Sequence, residues 1–76
     1  MATIPEIETR IYTLWTKGEA RTSEEAVALG QLLTAFEAEM PPGDFYRHVL
    51  EVLHIAARDA QHFMARYRAS QAAGNG

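Results

Sequence analysis

Between Asp44 and Ala73 the chain has no glycine and no proline, and its apolar residues keep a helical step throughout. Phe45, Val49, Val52, Ala56, Ala60, Phe63 and Tyr67 recur at intervals of 4, 3, 4, 4, 3 and 4. Such spacing lines one face of an α-helix and excludes a strand. One helix of about 25 residues satisfies the pattern, and at 1.5 Å per residue it spans ~38 Å. A helix of that length in so small a protein needs a partner helix along much of it. The same residues also allow a break near His54. In a helix-turn-helix the first helix ends on an apolar residue, a turn residue (commonly glycine) follows, and a further apolar residue pins the second helix. Leu53-His54-Ile55 fits that outline, with Val49 and Phe63 as the outer core contacts. Three positions depart from it: His54 stands where glycine would ease the turn, Ala56 offers no capping side chain, and Leu50 is large where a small residue usually sits. Local pattern leaves both readings open.

Seventy-six residues make one domain, placed at 1–69, with 70–76 expected to fray into a disordered tail because no apolar residue anchors it. A chain this short buries only roughly 60% of the surface its unfolded form exposes, so an isolated core is marginal. Cysteine is absent, which excludes disulfides and thiolate metal sites. The 47% hydrophobic content is high for so small an interior, and we read it as apolar surface meant for a second copy of the chain. The opening residues lack the basic and apolar regions of a signal peptide, and no apolar run approaches the ~20 residues a bilayer requires. The expected location is cytoplasmic.

Charge is unevenly distributed. Residues 1–40 carry Arg10, Lys17 and Arg21 against seven glutamates, 3 − 7 = −4, whereas residues 41–76 carry four arginines against Asp44, Glu51 and Asp59, 4 − 3 = +1. DNA-binding domains usually carry a larger positive excess.

Thr3-Ile4-Pro5-Glu6 has the form of a capping box with proline in the first turn, opening a helix over about residues 4–17. Ile4, Ile7, Ile11, Leu14 and Trp15 share its apolar face, and Gly18 suits a left-handed exit. Trp15 reads as core or as a docking anchor, and Tyr12 is equally open. Glu19-Ala20-Arg21 is a short polar connection. Thr22-Ser23-Glu24-Glu25 is a second capping box. Ala26, Leu29, Leu33, Phe36 and Met40 follow as a heptad-like seam, joined by Val27 and Leu32. Gly30 inside that helix costs ~1 kcal/mol relative to alanine. It marks either a close helix crossing or a tolerated surface position. Pro41-Pro42-Gly43 ends the helix, and Asp44 is the expected N-cap of the next.

Leu29-Gly30-Gln31-Leu32-Leu33-Thr34-Ala35, Pro42-Gly43-Asp44-Phe45 and Leu53 to Met64 together resemble a family of small phage and plasmid proteins of unassigned function. That family's pattern is an apolar helix, a glycine-acid-aromatic corner and a helix-turn-helix ending in "Arg-Thr-Ala-Gln-Arg-Phe-Met". The likeness covers about half the chain and is most specific from Arg58 to Met64. Here Asp59 and His62 stand in place of the threonine and the arginine, so groups that would face DNA become negative or titratable. A helical phage protein with such a surface also resembles the small early proteins that Mu-like Pseudomonas phages use against their hosts. Among these are quorum-sensing anti-activators, dimers that block a LuxR-type transcription activator.

Little catalytic chemistry is present. Ser23 and Ser70 have no base partner, and no glycine-rich phosphate loop occurs. Glu51-Val52-Leu53-His54 has the Glu-x-x-His spacing of bundle di-metal sites but occurs once where two copies are needed. On a continuous helix His54, Arg58 and His62 stack at four-residue intervals, with Gln61 at the side, forming either a partner-contacting strip or a plain solvated face.

The expectation is therefore an all-α domain of three or four short helices with a helix-turn-helix-like C-terminal half, forming an intertwined or packed homodimer. Its core and dimer residues are Ile11, Trp15, Leu29, Leu33, Phe36, Val49, Leu53 and Phe63. The leading functional reading is a non-enzymatic interaction module, without cofactor or metal, that inhibits a host protein such as a transcription regulator through Tyr46, Arg47, Arg58, His62, Arg66 and Tyr67. The alternative is a DNA-binding regulator using residues 56–68 as its recognition helix.

Overall fold

The computed structural model describes residues 4–74, and side chains from residue 5 to residue 73. The chain is all-helical among the described residues: α1 (Ile4–Trp15), a 3-10 turn (Gly18–Ala20), α2 (Ser23–Ala38), α3 (Phe45–Leu53) and α4 (Ala57–Gly74). The expected cap at Thr3 lies outside the described residues, as does the side chain of Ile4.

The punctuation of the sequence sets most of these boundaries. Gly18 takes a left-handed φ of 56° just beyond α1, the conformation glycine adopts without steric penalty. The second capping box forms: Thr22 Oγ1 accepts from the Glu25 amide at 3.1 Å, and the Glu25 carboxylate accepts from the Thr22 amide at 3.0 Å. Prolines 41 and 42 follow the last turn of α2, which closes with short-range bonds from Glu39 to Phe36 and from Met40 to Glu37.

Two expectations need correction, on Asp44 and on the tail, and one open alternative, the single helix, is settled. Asp44 does not cap α3 through its side chain; its backbone is helical, and its carboxylate accepts from Arg47 Nη2 at 2.9 Å instead. The single long helix is excluded, because His54 is left-handed (φ 59°, ψ 34°) and separates α3 from α4. The expected tail from residue 70 is helical as far as Gly74. Its alanines are the strongest helix formers, and Ser70 Oγ donates to the Tyr67 carbonyl at 2.7 Å.

One core joins all four helices. Ile7 and Ile11 come from α1, Ala26, Leu29, Leu33 and Phe36 from α2, Phe45, Val49 and Leu53 from α3, Ile55 from the turn, and Ala60, Phe63 and Met64 from α4. No polar or charged side chain among the described residues is buried. Phe36 meets Phe45 edge-on at 6.0 Å, and Trp15 meets Phe63 edge-on at 6.1 Å, a geometry that aromatic quadrupoles favour.

The most extensive helix pairing is α2 with α4. Gly30 makes it possible: a Cβ built there would lie 2.0 Å from the Phe63 carbonyl oxygen and 2.9 Å from Tyr67 Cβ. Of its two sequence readings, the close crossing is the one observed.

Candidate nucleic-acid interface

The three-residue connection between α3 and α4 is a tight turn built on an unusual residue. His54 ends α3, and Ile55 then turns into the core, where it is fully buried and donates its amide to the Val49 carbonyl at 3.0 Å. Leu53 and Ile55 therefore clamp the corner from inside while His54 stays exposed. The stack of His54, Arg58 and His62 on one helix does not exist, because His54 belongs to the turn.

Beyond the corner, α4 divides sharply into two faces. Ala60, Phe63 and Met64 are buried and Tyr67 is half-buried. At about 100° per residue, Arg58, Gln61, His62, Ala65, Arg66, Arg68 and Ala69 fall within an arc of about 160° on the opposite side. All seven are exposed. Asp59 sits half-buried at the margin, so the arc holds three arginines, a histidine and a glutamine but no carboxylate. None of the three arginines forms a salt bridge among the described residues.

The expected interaction residues separate accordingly. Arg58, His62 and Arg66 share the open face of α4. Tyr67 lies on the packed side against Gly30. Tyr46 is half-buried on α3 with its ring 4.9 Å from Phe45, and Arg47 is exposed there. Gln61 and Arg68 complete the face. Of the expected core set, Ile11, Leu29, Leu33, Phe36, Val49, Leu53 and Phe63 are buried in this fold. Trp15 is half-buried against it and so is core rather than a free anchor, while Tyr12 is half exposed at 50%.

Arg21 has a role that its place in a short polar connection did not announce. Its Nε donates to the Leu14 carbonyl at 2.9 Å and its Nη2 to the Trp15 carbonyl at 2.7 Å. The same guanidinium stacks over Trp15 and Phe63, 5.4 and 4.9 Å from the ring centroids. A cation thus caps the negative end of α1 and ties it to α4. Nearby, Lys17 pairs with Glu25; this hydrogen bond, followed by that of the Thr22 amide, holds the Glu25 carboxyl down at about 2. On the other side of the molecule His48 Nε2 meets Glu8 Oε1 at 2.7 Å, joining α3 to α1.

Other chemistry is sparse among the described residues. No group of three or more potential metal ligands converges, and no helix is long and apolar enough to cross a membrane. An open groove of about 570 Å³ between α1 and α2, lined by Ile7, Leu14, Ala28, Leu32 and Ala35 beside Arg10 and Gln31, holds no nucleophile–base pair. Comparison with protein-family models, curated proteins and solved structures yields no match.

Proposed function

We propose that α3, the His54 corner and α4 act as a helix-turn-helix whose open α4 face binds duplex DNA. The observation that carries this reading is the acid-free arc of Arg58, Gln61, His62, Arg66 and Arg68 directly after the corner. Alanines 65 and 69 keep that face narrow, and a major groove about 12 Å wide admits an α-helix. Arg58 and Gln61 lie near the N-terminal end, where a recognition helix contacts base edges. They are also the residue types that pair with guanine and adenine. Arg66 and Arg68, further along, suit phosphates.

The remainder of the chain works against tight binding. With α4 at 3 − 1 = +2 and the whole chain at −3, the rest carries −5. Affinity should therefore be modest and steeply dependent on salt. In a fluorescence-anisotropy titration of a mixed-sequence duplex, three to four phosphate contacts give a log–log salt slope of about −3. Arg66→Ala should flatten it by about 1. No binding at low ionic strength would refute the proposal.

Leu50 and Val52 favour a second reading. They remain 54% and 50% exposed on α3, where a phosphate backbone offers them nothing. Such residues suit an apolar partner surface, as in a module that occupies and inhibits a host regulatory protein. That reading requires loss of partner capture in Leu50→Ser with no DNA binding by the native chain.

A further inference from the structure

The corner between α3 and α4 holds a conformation that its own sequence does not favour. His54 is left-handed, which is unfavourable for any residue with a Cβ. It is exposed, and its side chain makes no hydrogen bond among the described residues. Leu53-His54-Ile55-Ala56-Ala57 contains no helix-breaking residue. The apolar stripe from Phe45 to Tyr67 continues across it in helical register. In this structure Phe45, Val49, Ala60 and Phe63 of that stripe are buried and Tyr67 is half-buried. The stripe residues left exposed are Val52 and Ala56, which bracket His54.

We propose that the chain forms a domain-swapped homodimer in which His54 becomes helical, α3 and α4 fuse into one straight helix, and each α4 packs on α2 of a second copy. Every contact of α4 is remade in that exchange. Gly30 receives the partner's Phe63 carbonyl, and Arg21 stacks on the partner's Phe63 ring. Exchange of an identical element costs little, and short strained hinges invite it. A fused helix over residues 45–74 is about 45 Å long, against a longest extent of 34 Å for the folded chain. It must project from its own core, and only a second chain supplies the matching surface. Where the two hinges meet, Val52 and Ala56 of both copies cover one another. Ile55 opposes the change, since straightening withdraws it from a fully buried site. Strain and two uncovered apolar residues thus stand against one buried isoleucine, which makes the hinge bistable.

Sedimentation equilibrium on the full chain and two position-54 variants tests this. His54→Gly removes the left-handed penalty and weakens the straight helix, and His54→Ala does the reverse. At about tenfold per hinge and two hinges per dimer, the dimer Kd should rise about a hundredfold in the first; the second gains only about threefold per hinge from helix propensity, so its Kd should fall about tenfold. The exposed position lets both variants fold. Spin labels on R47C/R66C chains diluted into unlabelled protein should report a backbone separation of about 28 Å, the length of 19 helical residues, in proportion to the dimer present. The proposal is overturned if the two variants share one Kd, if all three proteins stay monomeric at millimolar concentration, or if a dimer forms while the label separation keeps its monomer value.

Discussion

Replacing Gly30 by alanine sets two effects of known sign against each other. In an isolated helix the change is favourable by ~1 kcal/mol. Here the new Cβ would stand 2.0 Å from the Phe63 carbonyl oxygen and 2.7 Å from its carbon. A carbon and a carbonyl oxygen ordinarily approach no closer than about 3.3 Å, so α2 and α4 must part by 3.3 − 2.0, or about 1.3 Å. The obstacle is main chain, so no rotamer change relieves it. A gap of about 0.5–1 Å already forfeits a quarter to a half of each dispersion contact, and this gap would open the most extensive pairing in the molecule. Overpacking costs ~1–3 kcal/mol; with backbone against Cβ the upper end applies, and subtracting the propensity gain leaves ~2 kcal/mol of net loss. For a domain of this size each kcal/mol moves Tm by about 4–8 °C, so Tm should fall by about 8–16 °C. Thermal unfolding followed by circular dichroism reads this directly. Gly18→Ala is the control: no atom lies within 4 Å of its added Cβ, and only the left-handed φ of 56° penalises it. A Gly30→Ala protein as stable as the native chain, or more so, would refute the close crossing.

Further predictions concern the polar contacts around the core. Arg21→Ala removes two charge-assisted bonds to the end of α1 and the stacking on Trp15 and Phe63, and should cost ~2 kcal/mol in urea denaturation. Arg21→Lys keeps the charge without the planar fork and should recover less than half of that loss; full recovery would show that charge alone matters. Glu25, lowered from 4.5 to about 2 chiefly by Lys17 and then by the Thr22 amide, contributes stability that is present above pH 4.5 and lost as pH falls toward about 2. Glu25→Gln should therefore be less stable than the native chain at neutral pH, with the gap closing across that window; a gap that does not change with pH would remove the linkage.

The all-helical class, the second capping box and nearly all of the α2 core could be read from local pattern, because each rests on residues three or four positions apart. The corner at His54 could not be settled that way. Both the straight and the bent form satisfy the apolar stripe, and the deciding contact is the burial of Ile55 against residues distant in sequence. Gly30 was ambiguous for a related reason, since its meaning depends on Phe63 being thirty-three positions away yet in contact. The role of Arg21 has no local signature: only the folded arrangement brings the Leu14 and Trp15 carbonyls and the Phe63 ring to one guanidinium. The basic arc on α4 was partly legible, with Arg58, His62 and Arg66 in phase. Tyr67, which the apolar stripe and the expected interaction set share, falls on the packed side.

The pairing of α2 with α4 also has a bearing on synthesis. The stripe from Leu29 to Phe36 is completed by Phe63 and Met64 of α4, Met64 lying twenty-eight positions beyond Phe36. At about 5–20 residues per second, translation leaves that stripe without its mate for about one to six seconds. During that interval the growing chain presents a leucine-rich helix whose α4-facing side is bare. Two ribosomes on one message would bring two such helices together before either has its own α4.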